Sequence, residues 1–380
     1  MACKVVACAA PSLSHASDTL VCEQDEAQGR MGHLQGDAEA LARALYGAIE
    51  AAAAGPEASA SLPLPGPLAG REASDEMSRC LVEAVRCIDR AAEEATAEAE
   101  GTSARGWRLV EAMLAVDAPA RLLAVMGCLG FEARKDAMRL FAALLHLALK
   151  VGAQVPLAAY FRSHPSVAPQ LLQGSGCTEL FAHCAEMLRR CSRCPELAEV
   201  MIMNGAVTRL IDLCGSPNFE ISSEAFSSLR ELLLAQAEVS EPFVYENFDG
   251  FCARYHTLLG QDQDYVVKRQ ALRLLGDVLL QPAFADVMLK YVANEQFLRI
   301  HMNLLLDRSK SIQFGAFHIF KVFVANPQKP HRVRTILQKN CRGLLRVMFR
   351  LQRVAGEDAA LEADISAVRD LLEALQAQQR

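Results

Sequence analysis

The chain has 380 residues, 52% of them hydrophobic and only 6% aromatic, with a single tryptophan, Trp107, and a net charge of −6. Alanine and leucine dominate, which favours helices over strands, and a chain this long can bury a sizeable core. Thirteen scattered cysteines, an odd number, point to reduced thiols in the cytoplasm rather than a disulfide scaffold. The opening MACKVVACAA is too short an apolar run for a secretory leader, and no stretch reaches the roughly 18 apolar residues of a membrane span.

Residues 1–36 lack periodicity and are read as disordered. Asp37–Ala54 has the pattern of a short helix with Asp37 as its N-cap, and 55–73, rich in Pro, Gly, Ala and Ser, reads as a linker. Residues 1–74 together form a low-complexity extension. From 75 to 355 the pattern is almost continuously helical, and the amphipathic tail within 356–380 predicts a C-terminal capping helix.

An internal repeat organises the helical region. Four segments align without gaps: FEARKDAMRLFAALL from Phe131, FEISSEAFSSLRELL from Phe219, YVVKRQALRLLGDVL from Tyr265 and KSIQFGAFHIFKVFV from Lys310. The seventh position is always alanine (Ala137, Ala225, Ala271, Ala316). Large apolar residues follow at the next position (Met138, Phe226, Leu272, Phe317) and three further on (Phe141, Leu229, Leu275, Phe320). Apolar pairs then complete the stripe: Leu144/Leu145, Leu232/Leu233, Val278/Leu279 and Phe323/Val324. The alanines are spaced 88, 46 and 45 residues apart, so a weaker repeat falls around Cys177–Arg193. A period near 44 predicts an all-α chain, a right-handed α-α superhelix of the armadillo/HEAT-like solenoid kind with a concave docking side. Ser216, before Pro217, and Asp262 are the expected N-caps of two repeat helices.

Charge is unevenly spread. Residues 1–100 hold 17 acids against 7 Lys/Arg, and residues 264–350 hold 5 acids against 15 Lys/Arg. A basic rear suits an anionic partner. Chemistry is harder to find. No phosphate-binding loop, dinucleotide fingerprint, zinc-protease or nucleophile-elbow motif occurs, so no enzyme, cofactor or small-molecule substrate is expected. Gln261–Asp264 lacks the alternating ligands of a calcium loop. Cys177, Cys184, Cys191 and Cys194, with His183, could suggest zinc. The seven-residue recurrence of the first three equally describes one buried helix face, and core cysteines are the reading taken. Nucleic acid would need exposed aromatics interleaved with the basic residues, and these are not evident.

The runs Asp264–Leu280, His301–Lys329 and Ser216–Leu233 closely resemble the calcium-binding protein 39 family, the mouse protein twenty-five scaffolds, with weaker similarity covering about 75–350. The resemblance implies a non-catalytic scaffold that binds a STRAD-like pseudokinase, and through it a liver-type polarity kinase. It also implies activation of germinal-centre kinases. Its concave face would hold the kinase-like body, and a C-terminal pocket would take a Trp-Glu-Phe tail. Carried over residue by residue, it assigns Phe219, Tyr265 and Arg269 to the body contact, and Met302 and Lys339 to the tail pocket. A basic pocket-side residue of the family aligns with Pro282. Independently, Tyr265 and Arg269 are i,i+4 on one helix face, and Tyr and Arg are frequent interface anchors. The alternative readings are a general armadillo-type peptide adaptor and a nucleic-acid-binding repeat protein.

Overall fold

The computed structural model describes residues 38–53, 67–96, 100–173, 177–354 and 358–377. The segment read as disordered, the expected cap Asp37 and most of the expected linker lie outside them. Every regular element among the described residues is helical, and the contacts divide the chain into two compact units, Met1–Ala153 and Gln154–Arg380. None of these helices is long and apolar enough to cross a membrane.

The first unit contains α1 (38–53), α2 (Pro67–Thr96), α3 (Glu100–Ala115), α4 (Ala118–Val125) and α5 (Phe131–Lys150). α2 lies along α5, and α3 packs on both. The reason is a stripe on α2: Met77, Leu81, Ala84 and Ile88, spaced four, three and four apart, are all fully buried. α2 starts inside the stretch read as a linker. Pro67 is compatible with that start, because the first helical N–H has no intrahelical partner to lose.

The second unit is built from triplets of helices. After α6 (Gln154–Ser163), α7 (Val167–Leu171) and α8 (Thr178–Ser192), three triplets share one plan. A short first helix is α9 (Pro195–Met203), α12 (Ala237–Glu246) or α15 (Ala285–Val292). A short second helix is α10 (Ala206–Cys214), α13 (Phe248–His256) or α16 (Glu295–Leu304). The third helix, always 16 residues, is α11 (Phe219–Leu234), α14 (Tyr265–Leu280) or α17 (Lys310–Ala325). Third helices stack in a row, α8 to α11 to α14 to α17, and first helices form another, α6 to α9 to α12 to α15. α18 (His331–Val354) and α19 (Ala359–Ala377) close the unit, α19 covering α17 and α18. This is the armadillo-like helical-repeat fold, and the weaker repeat expected near Cys177–Arg193 is α8.

The repeat stripe accounts for the stacking. Ala225, Ala271 and Ala316 are completely buried, as are Leu229, Leu232, Phe317 and Phe320. Small side chains let neighbouring third helices approach closely. At Gly315 an added Cβ would lie 3.2 Å from the Leu272 Cβ, so α17 reaches α14 at van der Waals distance. Buried hydroxyls bond carbonyls of neighbouring elements, two of them at helix ends where intrahelical partners run out and the third within α14. Ser222 donates to Cys214 O at 2.6 Å, Ser240 to Leu233 O at 2.6 Å, and the Tyr255 hydroxyl to Ala271 O at 2.8 Å. On the outside, ion pairs join successive third helices, Arg189–Glu224 at 2.6 Å, Arg193–Glu231 at 2.7 Å and Arg230–Asp277, and Lys321 of α17 pairs with Asp364 of the closing α19.

The helix caps differ from expectation. α11 is capped by Asn218, whose Oδ1 accepts from the amides of Glu220 at 3.0 Å and Ile221 at 3.3 Å, while Ser216 Oγ accepts only from Asn218 N. α14 is capped by Asp264, accepting from Val266 N at 2.7 Å, rather than by Asp262. In both cases the residue immediately before the aromatic that opens the helix does the capping. The Asn218→Ala variant is expected to lose about 1 kcal/mol of stability, readable as a shift in the denaturant midpoint at unchanged slope.

Candidate partner-binding surfaces

The same repeat that buries one stripe leaves another side of each third helix in solvent. Phe219 is the first residue of α11 and Tyr265 the first residue of α14, and they are 63% and 43% exposed. Helix-start packing therefore does not bury either ring. Phe131 holds the equivalent position on α5 in the first unit and is likewise exposed; the sequence alignment contained it, but the site assignment did not.

Tyr265 and Arg269 come together. The Tyr265 hydroxyl has its pKa lowered from the ordinary phenol value, mainly by the Ser311 side chain, with Ser309 and the Arg269 guanidinium adding to it. Tyr265 thus lies near the start of α17 and near Arg269. Arg269 and Arg273, one turn apart, are both exposed. The result is an aromatic and cationic ridge along α14, flanked on α11 by Phe219.

Met302 is half-buried and lines a groove of about 670 Å³ between α16 and α18. Leu306, Leu344, Val347 and Phe349 make its apolar wall; Arg346 and Arg350 supply charge at its mouth. Leu306 and Phe349 are exposed, and the Arg369 guanidinium of α19 lies over the Phe349 ring at 4.2 Å. Lys339 is exposed and does not line the groove. It stands at the head of the helical row Lys339, Gly343, Arg346, Arg350, so it prolongs the groove's cationic side. Pro282 opens a 3₁₀ turn, Pro282–Phe284, and is not part of the lining. Arg346, Arg350 and Phe349 were not singled out from the sequence, although the four-and-three spacing of basic residues along α18 was visible there.

The cysteine cluster takes two forms. Cys184, Cys191 and Cys194 are buried in α8 and at the start of α9, whereas Cys177 is exposed. Burial pushes the Cys194 thiol up to about 11, with its bond to Glu196 adding, and pushes Cys191 higher still. Such thiols stay protonated and inert. His183 is committed to Glu179 O at 2.7 Å.

A family model described as Mo25-like matches residues 65–376. A mouse protein named calcium-binding protein 39-like is 34% identical over 257 residues, covering 67% of this chain and 75% of the relative. A fission-yeast Mo25-like protein is 34% identical over 270 residues, covering 71% and 80%. Among solved structures, a computationally designed armadillo repeat protein for modular peptide recognition aligns with 67% of this chain and 98% of its own, at 14% identity and a TM-score of 0.43.

Proposed function

This chain belongs to the Mo25-like family, and from that premise we propose that it is a non-catalytic cytoplasmic scaffold that binds and activates a kinase or pseudokinase of the STRAD-like or germinal-centre type. The observation that carries this reading is the exposed Tyr265–Arg269 pair on α14, with Phe219 opening α11, on helices whose other sides are fully buried. Rigid aromatic and guanidinium groups held out from a packed framework are what a protein interface uses as anchors. Here the helices that carry them are packed into the framework, so the backbone needs little ordering when the partner arrives.

In this reading Phe219, Tyr265 and Arg269 hold the kinase-like body, and the Met302 groove takes the partner's aromatic–acidic tail. The tail's ring enters between Leu306, Leu344 and Val347, and its carboxylate meets Arg346 and Arg350, with Lys339 at the far end of the row. Two modest contacts on one rigid unit raise the overall affinity by making the second binding step intramolecular. Activation follows if the ridge fits the closed form of the kinase better than the open form; the population shifts by that difference in affinity and by nothing else.

The test is Arg269→Ala in the full chain, assayed for activation of a germinal-centre kinase. We expect activation to fall about tenfold or more, matching the 1.4 kcal/mol or greater loss of a hot-spot side chain, with no change in thermal midpoint. Full activation by the variant would remove the ridge from the mechanism.

A further inference from the structure

The row of first helices carries a groove of a different character. It lies between α9 and α12 and encloses about 710 Å³. Its floor is apolar, formed by Ile202, Val239 and Phe243, and Met203 beside them is 75% exposed. A second hollow of about 330 Å³ shares Phe243, Glu246 and Asn247 with it, so the depression continues past the end of α12.

Glutamates ring that floor, and no Lys or Arg lines the larger groove. Glu199 is paired with Arg162 and Glu196 accepts from the Cys194 thiol. Glu238 and Glu246 have no cation within ion-pair distance among the described residues. In the stack of third helices, by contrast, Glu224, Glu231 and Asp277 each have a basic partner. The two cations of the neighbouring hollow are already engaged. Arg254 pairs with Asp212, and Lys290 bonds Tyr245 O and lies over the Tyr245 and Phe248 rings. Pro242, inside α12, has no N–H for the Glu238 carbonyl, which leaves a backbone acceptor in the same turn. Glu241, also on α12, is pushed up by burial and by Asp286, as expected where negative charge is crowded and uncompensated.

An exposed apolar floor inside an anionic rim rejects acidic and purely polar ligands, and it complements a chain that offers both grease and positive charge. We propose that the α9–α12 groove is a second docking site, for a linear basic segment of a partner protein in which arginine or lysine alternates with aliphatic residues. Glu238 and Glu246 take the cations; Met203 and Phe243 take the apolar side chains. The site stands independently of the α14 ridge, whose anchors are aromatic and cationic.

The experiment uses fluorescence anisotropy on the full chain, with a labelled decapeptide alternating arginine and leucine as probe and a glutamate–leucine decapeptide beside it. The double variant E238Q/E246Q should weaken probe binding at least tenfold, and M203S about fivefold. E373Q, which removes one exposed charge from α19, should leave it unchanged. Circular dichroism melts establish that all variants fold. Equal probe binding by E238Q/E246Q and the unmodified chain would overturn the proposal, as would an equal loss with E373Q, which would mean attraction to net charge alone. A self-association abolished by E238Q/E246Q in sedimentation velocity would also overturn it, since the occupant would then be a second copy.

Discussion

Lowering the pH from about 7 to about 4.5 is expected to cost roughly 5 kcal/mol of stability through two histidines alone. His256 on α13 and His301 on α16 flank the Tyr291 hydroxyl of α15, at 2.9 and 2.8 Å from their Nε2 atoms. The hydroxyl has one hydrogen, so it donates to one ring, which must be neutral to accept it, and accepts from the N–H of the other; burial disfavours the charged form of both. Burial lowers His256 to about 4; burial, and then the proximity of His256, lowers His301 to about 3. Both folded values lie below the ordinary 6.5 of imidazole, so the folded state binds fewer protons than the unfolded state. The stability is therefore complete above about 6.5 and is lost as the pH falls toward 4 and then 3, at about 1.4 kcal/mol per histidine per pH unit. Carboxylate titration adds a background, which a variant removes: H301Q should have about half the pH slope of the unmodified chain between about 6 and 5 in urea titrations. An unchanged slope would show that this trio does not control acid sensitivity.

The second large effect separates two phenylalanines that look alike in composition. Phe320, in the middle of α17, is completely buried, and Phe320→Ala should cost about 3–5 kcal/mol from lost transfer energy and the cavity left behind. Phe219, at the start of α11, is mostly in water, and Phe219→Ala should change stability by no more than about 0.5 kcal/mol. Denaturant midpoints measured side by side give both values. A large stability loss at Phe219 would make it a packing residue and weaken its place in the partner surface.

That contrast also shows what was readable in advance. The stripe from Ala225 to Leu233, and its copies in α14 and α17, could be read because a helix buried against its neighbours must repeat small and large apolar residues at three- and four-residue intervals. The short first and second helices could not be delimited so easily. Nine-residue elements such as α9 and α10 complete too few turns to display a period, and their boundaries depend on tertiary packing. The caps were misplaced by two residues because Ser216 and Asp262 are as suited to capping as Asn218 and Asp264; which one acts is decided by where Phe219 and Tyr265 enter the stack. The partner ridge was half legible. The i,i+4 relation of Tyr265 and Arg269 needs only helical geometry, but the proximity of Tyr265 to Ser311 spans 46 residues of sequence and depends on α17 stacking on α14. The groove at Met302 depends on α16 and α18 converging, which no local pattern encodes, so Arg346 and Arg350 went unnoticed while Lys339, on the same row, was named. The acidic groove of α9 and α12 was missed for the same reason: its glutamates are unremarkable in sequence and become a rim only when α12 stacks on α9.

The most direct test of the scaffold reading is calorimetric titration of the full chain with a STRAD-like pseudokinase domain lacking its tail, and separately with a Trp-Glu-Phe tail peptide. The account predicts that Arg269→Ala weakens the domain at least tenfold and leaves the peptide unaffected, while R346A/R350A does the reverse. If both variants bound both ligands as tightly as the unmodified chain, the two surfaces described here would have no part in holding a kinase-like partner.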